Sequence, residues 1–319
     1  MNIVPSMIHG YGASQFVDML RSELKLELDD SIRILGGMSN LNLLITDRKK
    51  QYVVKIPALQ LEYQKNPYDM QWTIHGIAYR HSLSTRPVAK GTLGNGLPYL
   101  VTEYEQGITK TNPQSFQEDE LALIRNAQRK FSHIEIPVSC YDHPTAYLSM
   151  KKNHLEQVSN NDESHSSPLC DFLEKMRDFG TKLEEEMIEL PRWPSDTVHG
   201  DLRPSNVILK ENSIVFVDFE ETFRGNSFYD YAYFFAEPKG RYEVTVDSPL
   251  VRNRENLEAI LNLLPLALFS CLIWTFTRLV HIEMSIVEEN LANPSVRTEL
   301  IKYFRQKSVQ LADTLEVVT

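Results

Sequence analysis

The chain has 319 residues, 42% of them hydrophobic and 24% charged, with a formal net charge of -10 at pH 7. This length suits two lobes better than one small domain, and the charge argues against general binding to nucleic acid or to an anionic membrane. The three cysteines are odd in number and widely spaced, which predicts no disulfide framework and a reducing, cytoplasmic setting.

The first part of the chain predicts a small antiparallel β-sheet with one helix behind it. Residues 12–29 place apolar side chains among charges, which is typical of an amphipathic helix. Short apolar, partly β-branched runs then predict three consecutive strands. These strands are 32–35, 41–46 and 52–56, with turns at 36–37 and 47–50.

The next elements are a helix and a further strand. The helix is predicted over 67–83, because Asn66 can cap it and proline is favoured at a first helical position. Asp69 lies in its first turn, where an acid stabilises the helix N-terminus. After a turn at 94–96, residues 97–107 predict a strand that ends in a polar turn.

The chain from residue 116 onward is predicted to be mainly helical. Residues 151–167 are rich in Asn, Ser and His and predict a flexible surface loop near an acceptor site. The apolar run at 257–284 is interrupted by polar residues before it reaches the roughly 20 residues of a membrane span, so it predicts a buried helix. Helices are predicted at 119–131, 168–190, 254–290 and 295–315.

A cluster of polar residues lies beside a predicted β-hairpin near residue 200. Residues 207–209 and 214–217 are apolar runs joined by a polar turn, which is typical of a hairpin. The hairpin would hold the loop that carries Asp201 and Asn206 next to Asp218.

Such a cluster suits phosphoryl transfer. Mg²⁺ prefers oxygen ligands, and Asp218 and Asn206 would supply a carboxylate and an amide oxygen. Asp201 would orient an attacking hydroxyl and accept its proton. Both aspartates could instead cap turns, but the order of acid, amide and hairpin favours catalysis. Arg203 either stabilises developing phosphate charge or is an exposed loop cation.

The segments HGDLRPSN (199–206) and VDFEE (217–221) resemble the aminoglycoside phosphotransferase and choline kinase family, whose pattern is HGDLxxxN followed by DFE or DxE. Residues 225–232 are similar to the family's GDPxxDLA segment, in which Asp230 would tie the loop to the large lobe. The resemblance implies an α+β, bilobal, protein-kinase-like fold. Residues 1–104 would form a small antiparallel β-sheet lobe and residues 105–319 a mainly α-helical lobe.

The resemblance also implies an ATP site between the lobes. The turn that begins at Gly36 falls where the family has a nucleotide loop, roughly GGxSN, although a plain hairpin is the commoner meaning of such a turn. The residues implied at the nucleotide are Gly37, Ser39 and Asn40 in this turn, Lys55 on the third strand, and the backbone of Thr102 and Tyr104 in the linker.

The sequence departs from the family at the carboxylate partner of Lys55. The family places a Glu in the helix that follows, and the predicted helix has none. Asp69 is the first candidate for this partner and Glu62 the second. Lys55 could also extend to solvent from an edge strand.

These observations predict a cytoplasmic phosphotransferase that uses ATP and Mg²⁺ to phosphorylate a hydroxyl of a small molecule. The net charge favours a cationic or neutral acceptor. A nucleotide-binding regulator without turnover and a protein kinase are the alternatives, although the segment between Asp218 and Asp230 is short for a protein kinase. Candidates for a cation pocket are Trp193, Tyr233, Glu237, Trp274 and Glu283.

Overall fold

The computed structural model describes residues 7–29, 32–36, 40–48, 50–59, 68–160, 167–287 and 294–318. The chain forms two compact units, one of Met1–Gln106 and Ser285–Val296 and the other of Gly107–Met284 and Arg297–Thr319. The sequence predicted a single boundary after residue 104. The segment that begins at Ser285 departs from that prediction, and within it Val287 forms a β-bridge with Leu59.

The first unit contains a five-stranded antiparallel sheet. The elements in chain order are β1 (Met7–Ile8), β2 (Tyr11–Gly12), α1 (Ala13–Leu24), β3 (Arg33–Gly36), β4 (Asn40–Asp47), β5 (Lys50–Pro57), α2 (Tyr68–Arg80), β6 (Pro87–Thr92) and β7 (Pro98–Glu103). The strands of the sheet lie in the order β3-β4-β5-β7-β6, so the three consecutive strands predicted from the sequence are confirmed.

Helix α1 packs on one face of this sheet, as its apolar spacing predicted. Phe16 and Leu20 form one buried cluster with alternate strand residues, including Val54 and Ile56 of β5. Because side chains alternate along a strand, Lys55 points to the opposite face. It is buried on a central strand, which rules out the solvent-extended lysine of an edge strand.

Two elements of the first unit differ from the prediction. Strand β6 was not predicted, because its side chains are at most partly buried and show no apolar alternation. It begins with Pro87 at the edge of the sheet, a position where proline is tolerated. Helix α2 spans Tyr68–Arg80, slightly shorter than predicted, and its predicted cap, Asn66, lies outside the described residues.

The second unit is mainly helical, as predicted. Two small antiparallel sheets interrupt its helices. In chain order its elements are α3 (Glu118–Ser132), α4 (Pro144–Asn160), α5 (Ser167–Met187), β8 (Asp196–Val198), β9 (Val207–Leu209), β10 (Ile214–Phe216), β11 (Phe223–Gly225), α6 (Phe228–Ala236), α7 (Arg254–Glu283) and α8 (Pro294–Val318, in this unit from Arg297 onward).

The prediction of a flexible loop over 151–167 is wrong for its first part. Residues 151–160 form the second half of α4. Tyr147, Leu148, Leu155 and Val158 are buried along this helix, and they supply the apolar contacts that the polar sequence obscures. Residues 161–166 lie outside the described part of the chain.

Helix α7 corresponds to the long apolar run in the sequence. Over the described residues it is the one helix long and apolar enough, by length and composition, to cross a membrane. Within its most apolar window, 72% of the residues are buried inside the protein. This burial is typical of a core helix, as the sequence predicted.

Candidate active site

The loop of residues 199–206, here called the HGD loop, is held at both ends by short sheets. Strand β8, which precedes it, pairs with β11, and β9, which follows it, pairs with β10. The predicted β9–β10 hairpin is therefore confirmed. The Val217 N–H donates to the carbonyl of Asn206 over 3.1 Å, so the residue before Asp218 is bound directly to the loop.

Asp230 fixes the backbone of the HGD loop. Its two carboxylate oxygens accept hydrogen bonds from the backbone N–H groups of His199 and Gly200, each over 3.0 Å. The side chain of Gln128 donates a third bond over 3.2 Å. Burial raises the pKa of Asp230 to about 6, and these hydrogen bonds oppose the shift. Asp230 on α6 is therefore hydrogen-bonded to the HGD loop, as the resemblance implied.

Gly200 occupies a position that no other residue could fill. Its φ is +80°, and a Cβ there would lie 2.0 Å from the carbonyl oxygen of Glu221. A left-handed backbone and a close approach both favour glycine. The loop therefore needs glycine directly before Asp201.

Asp201 and Asn206 form the centre of the loop. The amide nitrogen of Asn206 donates to Oδ2 of Asp201 over 2.8 Å and to the Asp201 carbonyl over 2.9 Å. The Nε of Arg203 donates to Oδ1 of Asn206 over 3.3 Å and lies 3.7 Å from Oδ2 of Asp201. The structure thus brings three of the predicted site residues into one hydrogen-bonded group.

The charges around Asp201 are mainly negative. Burial raises the pKa of Asp201 well above its usual value, Arg203 opposes the shift, and Asp218, Glu237 and Glu220 add to it. For Arg203, burial lowers the pKa, but neighbouring carboxylates outweigh burial and raise it. A carboxylate with a raised pKa can accept a proton more readily, as a general base must.

Arg203 also contacts a residue whose role the sequence did not reveal. Its Nη1 donates to Oε1 of Glu237 over 3.5 Å. Arg203 is therefore a half-buried cation held between carboxylates, and the interpretation as an exposed loop cation is wrong. Glu237, a candidate for the acceptor pocket, is the acceptor of this bond. Glu237 lies nineteen positions after Asp218, so no local motif marks it.

Asp218 and Asn206 provide the donor set that suits Mg²⁺. Asp218 has a φ of +68°, a left-handed conformation that Asp adopts more easily than most residues. Asn206 directs its amide nitrogen to Asp201, and its oxygen accepts from Arg203 and keeps a second lone pair for another partner. The several acids that act on Asp201 form a negative environment that a divalent cation would neutralise. The residues present therefore fit Mg²⁺.

In the first unit, Lys55 has a partner that the sequence analysis missed. Its Nζ donates to Oε1 of Gln71 on α2 over 3.0 Å, and both side chains are buried. Asp69 forms an ion pair with Lys90 instead. Asp69 lies at the exposed start of α2, whereas Gln71 is two residues further on the buried face. Glu62, the second candidate, lies outside the described residues.

The remaining nucleotide residues are only partly described. Gly37 and Ser39 lie outside the described residues. Asn40 is buried, and its Oδ1 accepts a hydrogen bond from the hydroxyl of Tyr68 over 3.0 Å. The N–H of Tyr104 donates to the Gln51 carbonyl over 2.9 Å. That bond occupies one of the backbone groups that the resemblance assigned to adenine, and Thr102 is buried within β7.

Of the other four candidates for a cation pocket, three are buried or bonded to another side chain of the second unit. Glu283 accepts a hydrogen bond from Arg297 over 2.7 Å, and Tyr233 is buried in α6. Trp193 stacks with Phe223 inside an aromatic cluster. Trp274 is partly exposed on α7.

The antiparallel sheet of the first unit and the HGD loop among helices of the second are the features of kinase-like phosphotransferases. The chain belongs to the phosphotransferase enzyme family, whose family model matches residues 31–253. The resemblance inferred from the sequence is confirmed. No curated protein matches the chain.

Solved structures support the same fold. A spectinomycin phosphotransferase in complex with ADP and spectinomycin has a TM-score of 0.62 at 13% identity, over 96% of this chain and 99% of that one. An ethanolamine kinase of Plasmodium vivax has a TM-score of 0.60 at 14% identity, over 88% of this chain and 81% of that one. A choline kinase of Streptococcus pneumoniae has a TM-score of 0.58 at 15% identity, over 95% of this chain and 100% of that one. The predicted α+β, protein-kinase-like fold is confirmed.

Proposed function

We propose that this protein transfers the γ-phosphoryl group of ATP to a hydroxyl of a small molecule. The observation that carries the proposal is the bond between Asp201 and Asn206 within a loop whose backbone is fixed by Asp230. This arrangement presents a buried carboxylate in one orientation, which a general base requires.

In the proposed reaction, the acceptor oxygen attacks the γ-phosphorus as the bond from that phosphorus to the bridging oxygen of ADP breaks. The hydroxyl proton passes to Asp201, and ADP leaves with the electron pair of the broken bond. Arg203, held by Glu237, adds positive charge beside Asp201. The products are ADP, the phosphate monoester and one proton.

Asn206 and Asp218 would hold Mg²⁺. When bound, the ion would neutralise charge on the phosphates. Among the described residues, no group of three or more His, Cys, Asp or Glu side chains forms a metal site. One amide and one carboxylate would leave further coordination positions for phosphate oxygens and water. Mg²⁺ is commonly bound by few protein ligands in this way.

Lys55 is proposed to bind the phosphates of ATP. Its position on a central strand and its bond to Gln71 hold the ammonium group in a defined place. The turn that includes Gly37, Ser39 and Asn40 and the linker from Thr102 to Tyr104 are proposed nucleotide contacts on the resemblance alone. A cytoplasmic location is proposed on the cysteine content.

The acceptor is the open part of the proposal. The similar structures bind or act on spectinomycin, choline and ethanolamine according to their names. The sequence favoured a cationic or neutral acceptor from the net charge alone. A net charge describes the whole surface, so the side chains near the HGD loop are better evidence about one site.

ADP formation from MgATP tests the proposal. The protein would be assayed with a library of small hydroxylated compounds beside Asp201→Asn, which keeps the side-chain shape but cannot act as a base. Asp171→Asn, at an exposed position on α5, is the matched control. Stimulation lost only in Asp201→Asn supports a phosphotransferase. ATP binding without stimulated turnover would favour a regulator.

A further inference from the structure

Lys307 on α8 is a buried cation to which the proposed reaction gives no role. It has 0% of its surface exposed, and burying an ammonium group costs free energy unless acceptors surround it. Its Nζ donates to the carbonyl of Pro238 over 2.7 Å, to Oε1 of Gln310 over 3.0 Å and to the carbonyl of Gly240 over 3.5 Å. Two of these acceptors lie in the turn that follows α6, so Lys307 holds that turn against α8.

Tyr303 reaches the same segment from one helical turn earlier on α8. Its hydroxyl donates to the carbonyl of Glu237 over 2.6 Å. A spacing of four residues places Tyr303 and Lys307 on one face of the helix, and Nζ of Lys307 lies 5.3 Å from the centre of the Tyr303 ring. The two side chains therefore bind three of the four backbone carbonyls of residues 237–240, here called the 237–240 turn.

Helix α8 is a firm support for the 237–240 turn. The ring of Phe304 stacks on that of Phe172 of α5, with 4.0 Å between the ring centres. Leu311, further along α8, is fully buried. A close-packed helix shifts little, because neighbouring side chains leave no room for it. The position of the turn is therefore set by α8 as well as by α6.

Glu237 connects the 237–240 turn to the HGD loop. Its Oε1 accepts from Nη1 of Arg203 over 3.5 Å. Nε of Arg203 donates to Oδ1 of Asn206 over 3.3 Å and lies 3.7 Å from Oδ2 of Asp201. A donor–acceptor distance of 3.5 Å is at the outer limit of a hydrogen bond, so a small shift of Glu237 away from Arg203 would break it.

We infer that Tyr303 and Lys307 are positioning residues for phosphoryl transfer. They hold Glu237 where it keeps the guanidinium of Arg203 beside Asp201. This inference rests on the proposed phosphotransferase function. The last carbonyls of a helix have no partner within that helix, so both side chains also cap the C-terminal end of α6. A cap alone would add to the free energy of unfolding and leave the rate of transfer unchanged.

Removal of one hydroxyl gives the mildest test. Tyr303→Phe should lower kcat about 2- to 10-fold, which is the range that corresponds to the net contribution of one neutral hydrogen bond. The KM for ATP should stay close to that of the wild type, because Lys55, the proposed phosphate contact, lies in the first unit. ADP formation over a range of MgATP concentrations gives both constants, with water as the acceptor and with any library compound that stimulates turnover.

Tyr147→Phe is the matched control. Tyr147 is a buried tyrosine of α4, and its hydroxyl donates to that of Tyr229 over 3.3 Å. The control also loses a buried hydrogen bond within the second unit, but this bond does not lead to Arg203. Its urea midpoint should fall as that of Tyr303→Phe does, and its kcat should remain at the wild-type value.

Lys307→Met extends the test to the second side chain. It keeps the apolar stem of the side chain and removes the donor to Pro238 and Gly240, so kcat should fall at least as far as in Tyr303→Phe. Lys302→Met is the control on the same helix, since the side chain of Lys302 is 68% exposed. Rates are compared per folded molecule, so that lost stability does not count as lost activity. Should Lys307→Met fail to fold, Tyr303→Phe and its control still decide the question.

A double-mutant cycle assigns the effect to Glu237. Glu237→Ala should lower kcat about tenfold or more, because Arg203 then loses a charged acceptor that holds it. In the Glu237→Ala background, Tyr303→Phe should lower kcat no further, since both substitutions act through one contact. Falls in kcat that multiply in the double variant would show that Tyr303 acts by another route and would overturn the inference.

The two proposals fail in different ways. Wild-type kcat in both Tyr303→Phe and Lys307→Met, with lowered urea midpoints, would leave α8 as a helix cap and overturn the inference. If kcat still falls in Asp201→Asn, the phosphotransferase stands. Full ADP formation by Asp201→Asn contradicts the phosphotransferase mechanism itself, and the inference then falls with it.

Discussion

Asp201 in the second unit and Lys55 in the first are both buried charged side chains held by an amide, yet their surroundings differ. Asp201 is bound to Asn206, five residues away, in a loop fixed by a carboxylate and faced by an arginine. Lys55 is bound to Gln71, sixteen residues away on another element. Gln71 accepts a hydrogen bond that helps to position the ammonium group of Lys55, but it carries no charge.

The difference separates two ways of fixing a functional group. In the HGD loop, the amide of Asn206 positions Asp201, and burial together with charged neighbours sets its proton affinity. On α2, the neutral side chain of Gln71 gives Lys55 a hydrogen bond but no opposite charge. Substitutions at Asp201 should therefore alter the chemical step, whereas substitutions at Gln71 should alter nucleotide affinity.

Asp201→Asn should have the largest effect. Removing a general base typically lowers kcat by about 10²- to 10⁴-fold. The KM for ATP should change little, because the variant keeps the shape of the side chain and its bond to Asn206. Steady-state ADP formation with a stimulating acceptor checks this. A kcat close to that of the wild type would show that Asp201 does not accept the proton.

Asp230→Asn should have the second largest effect, and this effect should be on the free energy of unfolding. The amide offers one acceptor oxygen where two oxygens now accept from His199 and Gly200. A buried N–H left without a partner costs about 1–3 kcal/mol. Urea unfolding of the variant measures this loss, with Asp171→Asn as the exposed control.

The effect of Asp230 should also depend on pH. Folding raises the pKa of Asp230 from 3.8 to about 6, so within this window the folded state binds more protons than the unfolded state. The contribution of Asp230 to wild-type stability therefore falls as pH rises through the window. The stability gap between wild type and Asp230→Asn should narrow from pH 4 to pH 6. A gap that stays constant would contradict the raised pKa.

Gln71→Leu should have a smaller effect, on nucleotide binding. It removes one hydrogen-bond acceptor of Lys55 with little change in volume, and a hydrogen bond to a charged group contributes about 1.5–3 kcal/mol. We expect the KM for ATP to rise about tenfold or more, with a small change in kcat. Gln71→Glu, which restores the carboxylate of the family, should keep the KM close to that of the wild type. An unchanged KM in Gln71→Leu would mean that Lys55 is positioned by other contacts.

The same contrast explains what could be predicted from the sequence. The HGD loop was predictable because Asp201, Asn206 and the hairpin lie within twenty residues, so short-range geometry fixes them. Gln71 was missed because a search for an acid cannot find a neutral partner. Helix α6 was also missed, because its residues are nearly all apolar and buried, so no polar face marks its period.

Asp69→Asn should have the smallest effect, and it tests whether position or charge identifies the partner of Lys55. The sequence ranked Asp69 first because it was the nearest acid. In the structure its side chain is 73% exposed and pairs with Lys90, which is 35% exposed. Exposed pairs of this kind contribute about 0–1 kcal/mol. The KM for ATP and the urea midpoint should therefore match the wild type. A rise in KM as large as that of Gln71→Leu would instead mean that Asp69 approaches Lys55 when nucleotide binds, and that charge governs the first unit as it does the HGD loop.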